Sequence, residues 1–535
     1  MLNRSAHKSK RLRILLLLAG LCVCCVSTLR AQNHPNSPVF KDYKQARQSP
    51  FVEQSDATYQ IWEGFMLTRK ASTGDMLAQH ELGIRYLLGR GFRADTVKGA
   101  YWIRKAAERN LMPARFNLAI LLFNGWGIDW NPFEAYQHFQ YCADKGMVEA
   151  EYVMAQLFSE NLVVSRDWSK AFSWVKKAAD SGYEPAREVL GEFAKRASVA
   201  LPDSSLAKTK HAGAIRDSSG RKGPGSSLGW EPVFLEFGHD TVRGTDDIAL
   251  LKDVLQQAGP KLTKAFGMAQ MLEGKRDIDS VELQSLEQAS ESGSPEALTV
   301  LGRCYEKGIV VKKNLVLASE YYIRAVRLGS SRAPELLWKL IQEKDYFPAL
   351  KLRAAKDDPD AQFAWGSLTA FGFDPVLIQA GAFITPDQAV KLLTQSAHRG
   401  HRQALVELGL CCYSGRWVTQ DVEKAFEYWK KAAALGSKDA QVRLAIARVR
   451  SIGQTGDREH TIDELRQAAE EGSMLAEVAL GYCYETGNGV PQNKGEASKL
   501  YRSSAQRGSE DAYLALRRMY DEIRPPGDEF RLAER

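Results

Sequence analysis

The 535-residue sequence lacks a charge excess, a second long apolar run, a repeating cysteine pair and any histidine cluster. Each absence removes a class of function. The formal net charge is +7, but residues 1–31 carry six Lys/Arg and no Asp/Glu, so 66 basic residues face 65 acidic ones in the remainder, a balance of +1. That leaves no basic excess for nucleic acid or an anionic membrane. The one long apolar run, Ile14 to Thr28, spans roughly 15 residues and falls short of the ~20 a membrane helix needs. Residues 32–535 contain no Asn-x-Ser/Thr sequon, which leans toward bacterial export over a eukaryotic secretory lumen. Nine histidines are scattered. His80-Glu81 lacks the second histidine of a zinc-protease helix, and His398 and His401 flank Gly400 in a turn with no acidic or cysteine neighbour. They are expected to be solvated turn residues, with no metal and no cofactor bound.

What is present is a ruler. Ala78, Ala114, Ala150 and Ala186 fall one every 36 residues, and the beat returns at Ala404, Ala440, Ala476 and Ala512. Glycine precedes most of these anchors by four residues, as at Gly74, Gly146, Gly293, Gly436 and Gly508. A Leu-Gly or Leu-Ala step follows each anchor (Leu82-Gly83, Leu118-Ala119, Leu301-Gly302, Leu408-Gly409, Leu480-Gly481), then Tyr86, Tyr305 or Tyr484, then a glycine-rich turn. A second apolar stripe runs through Ala135, Ala171, Ala318, Ala425 and Ala497, trailed by aromatics such as Trp102, Phe139, Trp174 and Trp429.

Apolar positions at i, i+4 and i+8 mark one face of a helix, so each period reads as helix A, a turn and helix B. Units of this length bury their faces only against neighbours, which predicts an all-α solenoid. The expectation is about ten helix–turn–helix repeats of ~36 residues, in two arrays joined by a flexible linker.

The order Leu-Gly, Tyr, Gly-x-Gly-Val, Lys-Ala, Trp, Lys-Ala-Ala, Gly resembles the Sel-1-like repeat family, relatives of the tetratricopeptide repeats, most closely at 78–113, 404–439 and 476–511. The resemblance implies a right-handed superhelix serving as an adaptor or scaffold for other proteins. It also implies, in some exported members, a cysteine pair stapling each repeat, which this chain lacks. Cys304, Cys411 and Cys483 share one column of helix A in units that are not adjacent. Stacked helices lie about 8–10 Å apart and a disulfide needs Cα atoms within about 7 Å, so these cysteines are expected to be buried thiols. Three units depart from the pattern: 263–296 has a short turn, 333–360 is shortened and 361–403 carries seven extra residues.

The ends and middle divide the chain further. Arg4, Lys8, Lys10, Arg11 and Arg13 precede the apolar run, and Ala31 stands before Gln32, so 1–31 reads as a signal peptide. Cleaved export to the periplasm, cell surface or medium is expected, with a retained or lipidated anchor as the alternative. Residues 32–56 and 524–535 read as disordered. An N-terminal array with its capping helix occupies 57–197, a flexible linker 198–247 and a second array 248–523.

No catalytic constellation stands out. Ser-x-x-Lys occurs at Ser173–Lys176, Ser205–Lys208 and Ser219–Lys222, without the companion motifs of a β-lactamase-like hydrolase. Val233 to Asp240 resembles the opening strand of a peptidoglycan-binding domain, but no room follows for the rest of such a sheet. Three groups of interaction candidates remain. The insertion contributes Val376, Leu377, Ile378 and Phe383, either exposed as a contact patch or folded onto the shortened repeat. The turns contribute Trp126, Trp130, Arg416 and Trp417, the last standing where most repeats have Gly91, Gly127 or Gly489. Glu81, Asn117, Glu407 and Arg443 vary between fixed core columns and are expected to select a partner. The function expected is an exported protein-binding scaffold without catalysis, envelope proteins being among its partners. A glycan- or wall-binding module is the alternative, and a hydrolase a more distant one.

Overall fold

The computed structural model describes residues 57–198, 280–330, 332–371, 373–450 and 458–532. The segments read as signal peptide, N-terminal disorder and linker lie outside them, as do Ser205–Lys208, Ser219–Lys222 and Val233 to Asp240. Among the described residues every regular element is helical. One compact unit contains the first eight helices together with the residues from Pro525 onward, and a second contains the remaining helices.

In the first unit, α1 (Ala57–Ser72) leads three complete hairpins. They are α2 (Met76–Leu88) with α3 (Thr96–Glu108), α4 (Met112–Asn124) with α5 (Pro132–Asp144), and α6 (Val148–Glu160) with α7 (Trp168–Asp180); α8 (Glu184–Arg196) closes the stack. In the second unit, α9 (Ser280–Glu291) precedes α10 (Pro295–Lys307) and α11 (Leu315–Arg327), then the short pair α12 (Ala333–Ile341) and α13 (Tyr346–Ala355). The enlarged unit has α14 (Pro359–Leu368), the small α15 (Asp374–Gln379) and α16 (Pro386–His398). Regular pairs follow: α17 (Arg402–Ser414) with α18 (Val422–Ala434), α19 (Lys438–Arg450) with α20 (Arg458–Glu470), and α21 (Met474–Thr486) with α22 (Lys494–Gln506). The described array ends on α23 (Glu510–Glu522). Nine hairpins are therefore complete among the described residues.

Each hairpin is closed by chemistry that recurs with the ruler. Asp95, Asn131, Asp167, Asn314, Asp421 and Asn493 cap their B helices, the side chain accepting a backbone N–H three residues on. The backbone N–H of the same residue donates to a carbonyl in helix A, as from Asp95 to Tyr86 (2.9 Å) and from Asn493 to Tyr484 (2.8 Å). One residue thus satisfies the start of helix B and ties it to helix A. The anchor alanines are almost wholly buried, Ala114, Ala150, Ala404 and Ala476 at 0% exposure.

The small residue five positions after each anchor lies under the large side chain of its own B helix. A Cβ on Gly83 would meet Ile103 at 2.7 Å, on Gly302 Tyr322 at 2.5 Å, on Gly409 Trp429 at 2.3 Å and on Gly481 Tyr501 at 2.6 Å. In the enlarged unit the same contact joins Gly366 to Leu393, a Cβ coming to 3.0 Å. The seven extra residues therefore enter the turn and leave the helix pairing in register. The five cysteines of the described chain are free and buried, as expected for Cys304, Cys411 and Cys483 from their shared column. Burial pushes the Cys304 thiol up to about 12 and Cys483 up to about 11, so neither offers a thiolate near neutrality.

The C-terminal tail corrects the reading of 524–535 as disordered. Residues 525–532 are described, Asp528–Phe530 forms a 3-10 turn, and Phe530 is 5% exposed. Its ring contacts Phe133 and Tyr136 at centroid distances of 5.1 and 5.7 Å. Composition marked the segment as loose; one apolar ring with a receptive surface holds it.

Gly481→Ala forces a methyl group against the Tyr501 ring, and overpacking of this kind costs about 1–3 kcal/mol. The expected outcome is a lower urea midpoint for the full chain with unchanged helical content at low denaturant. An unchanged midpoint would show that the ring moves aside without cost.

Candidate functional site

The sequence-predicted contact residues divide sharply by exposure. Glu81 is buried and pairs with Arg85 at 2.9 Å, and Asn117 is fully buried against His80 Nε2 at 2.9 Å. Glu407 is 3% exposed and forms an ion pair with Arg327, 80 residues away in sequence. Arg443 is half-buried beside Asp439 at 2.9 Å. Their column faces inward, so Glu81, Asn117 and Glu407 are buried and paired within the chain, not presented on a free surface. Trp130 is likewise buried, while Trp126 is half-buried.

Inward polar residues knit the second unit together across long stretches of sequence. Arg507 makes a bidentate pair with Glu296 (2.8 and 3.0 Å), reaches Glu477 at 3.1 Å and donates to the Gly472 carbonyl at 2.6 Å. Arg402 pairs with Glu291, and Lys438 with Glu471, which also accepts from Ser292 at 2.8 Å. Repeats distant in sequence therefore meet along one edge of this array.

The insertion is partly folded inward and partly exposed. Leu377, Ala382 and Ile384 are buried, Lys351 Nζ donates to the Ala380 carbonyl (2.8 Å) and Trp365 Nε1 to that of Ala382 (2.7 Å). The segment thus fills space beside the shortened α12–α13 pair. Val376 is half-buried in the same cluster, whereas Ile378 is 62% and Phe383 46% exposed.

Trp417 joins this region. It packs, half-buried, against the same buried cluster as Phe371, Phe373 and Val376. Arg416 is exposed, lies 5.2 Å from the Trp417 ring and donates to the Ala370 carbonyl at 2.8 Å. Trp338, not singled out from sequence, is 39% exposed and meets Phe373 at 5.3 Å. Trp417 has φ +67, matching Gly91 (+70), Gly127 (+67) and Gly489 (+79) in its column. A left-handed conformation costs a non-glycine residue roughly 1–2 kcal/mol. Val310 holds the same position of its own turn at φ +65, so the column accepts glycine or a small apolar residue and folding does not demand tryptophan here.

His401 corrects the expectation of a solvated turn. Its side chain is 8% exposed and stacked on Phe363 (4.8 Å), with Nε2 at 3.6 Å from Glu320 and 3.8 Å from Asp360. Its acidic partners come from α11 and α14, out of reach of a local reading. The available signal was its column: His401 caps α17 where Ser294, Ser473 and Ser509 cap the corresponding helices. Nδ1 accepts the Ala404 N–H at 3.1 Å, which places the neutral ring's proton on Nε2. Glu320, Asp360 and His401 lie close enough to surround a cation, but Nε2 has no lone pair to give while this cap is made. In this state the Nε2 proton faces the two carboxylates. Burial opposes the charge on Glu320, yet His401, Arg324 and Arg402 outweigh it and hold its carboxyl below the usual range. Asp360 is raised, by burial and then by Glu320.

With this geometry in place, the relatives can be set beside it. The family model for the Sel1 repeat matches residues 77–111, 113–147, 148–183, 295–330, 359–401, 402–437 and 475–509. The chain is a Sel1-like repeat protein. The shortened pair α12–α13 and the pair α19–α20 fall outside these matches, although both fold as hairpins. An uncharacterised protein of Neisseria meningitidis serogroup B is 25% identical over 144 residues, 27% of this chain and 30% of that protein; the match thus spans under a third of the relative's length. A protective antigen of uropathogenic Escherichia coli displaying an SLR fold is 20% identical, with 85% of this chain and 81% of the antigen covered, at a TM-score of 0.29. A Sel1 repeat protein from Oxalobacter formigenes is 20% identical, with 88% and 97% covered, at a TM-score of 0.22. Scores this low carry no argument about shape.

Within the Sel1 frame the Glu320–His401–Asp360 cluster makes a prediction with opposite signs. Glu320 has a depressed folded pKa, so its stabilisation is present above the unfolded value and is lost as pH falls through the folded one. Asp360 has a raised folded pKa, so its ionisation opposes folding, a penalty that sets in as pH rises past the unfolded value and is complete above the folded one. Glu320→Gln should therefore cost about 1–3 kcal/mol at pH 7, whereas Asp360→Asn should cost nothing or stabilise. Both differences should shrink toward pH 4, read as thermal midpoints of the two variants beside the parent.

Proposed function

We propose that this Sel1-like repeat protein is an exported scaffold that binds another protein through the face formed by Arg416, Trp417, Trp338, Ile378 and Phe383. Sel1 repeat proteins usually act as protein-interaction scaffolds, and the proposal adds the face and the place. The observation that carries it is Trp417, a half-buried aromatic held at φ +67 in a column that elsewhere holds Gly91, Gly127, Gly489 and Val310. A residue retained at a conformational cost that the fold does not require is accounted for by contact. The neighbouring exposed apolar side chains lie on an insertion that has no counterpart in the other repeats, and Arg416 fastens that insertion to the turn. Tryptophan and arginine at such a spot match the composition of binding hot spots.

Export to the bacterial periplasm or beyond is supported by the basic start, the apolar run Ile14 to Thr28 and the small residue Ala31 before Gln32. No described helix is long and apolar enough to cross a membrane. Mass spectrometry of the protein recovered from the periplasm or medium should find a mature chain beginning at Gln32. Retention of residues 1–31 in the membrane fraction would overturn the cleaved form.

The face is tested by crosslinked capture from the producing cell, comparing the parent chain with Trp417→Gly and Ile378→Glu. Trp417→Gly restores the residue of the column and should leave the thermal midpoint within a few degrees while reducing partner recovery about ten-fold or more, in line with loss of a hot spot. Equal recovery by both variants would remove this face from the function.

A further inference from the structure

The first array carries a second interaction surface, and the chain itself shows what fits it. Pro525, Pro526 and Gly527 follow α23 directly. The two prolines end helical structure, and Gly527 adopts φ +149, ψ +153, a region open essentially to glycine alone. Beyond this break, Asp528–Phe530 forms one 3-10 turn against the first array. Phe530 enters edge-on between Phe133 and Tyr136 of α5. The Ser165 hydroxyl, in the turn between α6 and α7, donates to the Arg531 carbonyl at 2.7 Å. Glu529 faces the Tyr136 hydroxyl, and burial followed by this carboxylate pushes that hydroxyl's pKa up.

These contacts have the pattern of peptide recognition: an apolar anchor ring, an acidic residue meeting a buried hydroxyl, and a side chain fixing the peptide backbone. Phe530 supplies almost all of the buried apolar surface, since Asp528, Glu529 and Arg531 are exposed. A segment held by one ring and a few polar contacts, beyond a break in the helix, is suited to exchange.

We infer that the surface formed by Phe133, Tyr136 and Ser165 is a docking site for a partner protein's segment bearing an acidic residue immediately before an aromatic one, and that the tail occupies it as an internal stand-in. The inference concerns the first array and is independent of the Trp417 face. Because the tail is tethered, its effective concentration is high, and a partner must outcompete it.

The test uses the full chain carrying Phe530→Ala, so that the anchor is removed and the scaffold kept. The probe is a fluorescent peptide with the sequence of residues 524–535. Its anisotropy should report binding to Phe530→Ala and at least ten-fold weaker binding to the parent, whose own tail competes. A peptide with the same Phe530→Ala change should not bind. A Glu529→Gln peptide should bind several-fold more weakly, and adding Tyr136→Phe to the protein should abolish that discrimination while leaving cooperative melting in place. A carrier protein displaying Asp-Glu-Phe-Arg in a loop should compete with the peptide. Failure of the peptide to bind a folded Phe530→Ala chain, or equal binding to the parent, would overturn the inference. So would competition by free peptide but never by the carrier, which would make the groove a private seat for the tail. Concentration-dependent dimers of the parent that Phe530→Ala abolishes would assign the groove to tail exchange between copies.

Discussion

The close approach of helix A to helix B at the column of Gly83, Gly302, Gly409 and Gly481 sets the geometry on which the other contacts depend. Each glycine lets a large side chain of helix B lie directly on the backbone of helix A, where a methyl group would collide. That contact fixes the separation within the hairpin, and the Asp/Asn cap fixes the turn that joins its two helices. Nearest-neighbour stacking then follows, because every hairpin offers the next nearly the same shape. The enlarged unit shows the strength of the constraint. Seven extra residues go into its turn, and Gly366 still finds Leu393.

A rigid interior redirects variation to turns and edges. Polar residues that vary along helix A are taken up internally, by neighbours in the first array and, in the second, by repeats distant in sequence. Arg507 with Glu296 and Glu477, and Arg327 with Glu407, take up side chains that an open groove would present. Removing one partner from such a buried pair leaves an uncompensated charge and is costly. These residues are thereby committed to structure. What remains adaptable is the turn between helices A and B, whose left-handed positions tolerate an occasional large residue and whose length can grow without disturbing the stack.

Periodicity made the helices, the hairpins and the buried cysteine column legible in the sequence, since each is a local consequence of a repeating pattern. The same pattern concealed what arises between repeats. His401 reads as a turn residue until α11 and α14 bring Glu320 and Asp360 beside it. Glu407 reads as a surface selector until Arg327 arrives from 80 residues upstream. Phe530 sits in a short polar tail whose composition says nothing of the aromatic surface waiting for it. In each case the deciding partner lies beyond one period. Trp417 was visible for the opposite reason: it breaks a column, and a broken column is a local signal.

The departures also follow one physical logic. Replacing glycine by tryptophan at a left-handed position costs conformational energy, and filling the turn of the enlarged unit costs loop-closure entropy that grows only slowly with length. Both costs are small beside the burial that a stack of hairpins accumulates, so the array tolerates them without loss of fold. The tail illustrates the complementary case, in which one buried ring orders a short segment lacking any repeat of its own. A solenoid thus gains individual surfaces at a small cost in stability where its period is silent, and both proposed recognition faces lie at such places.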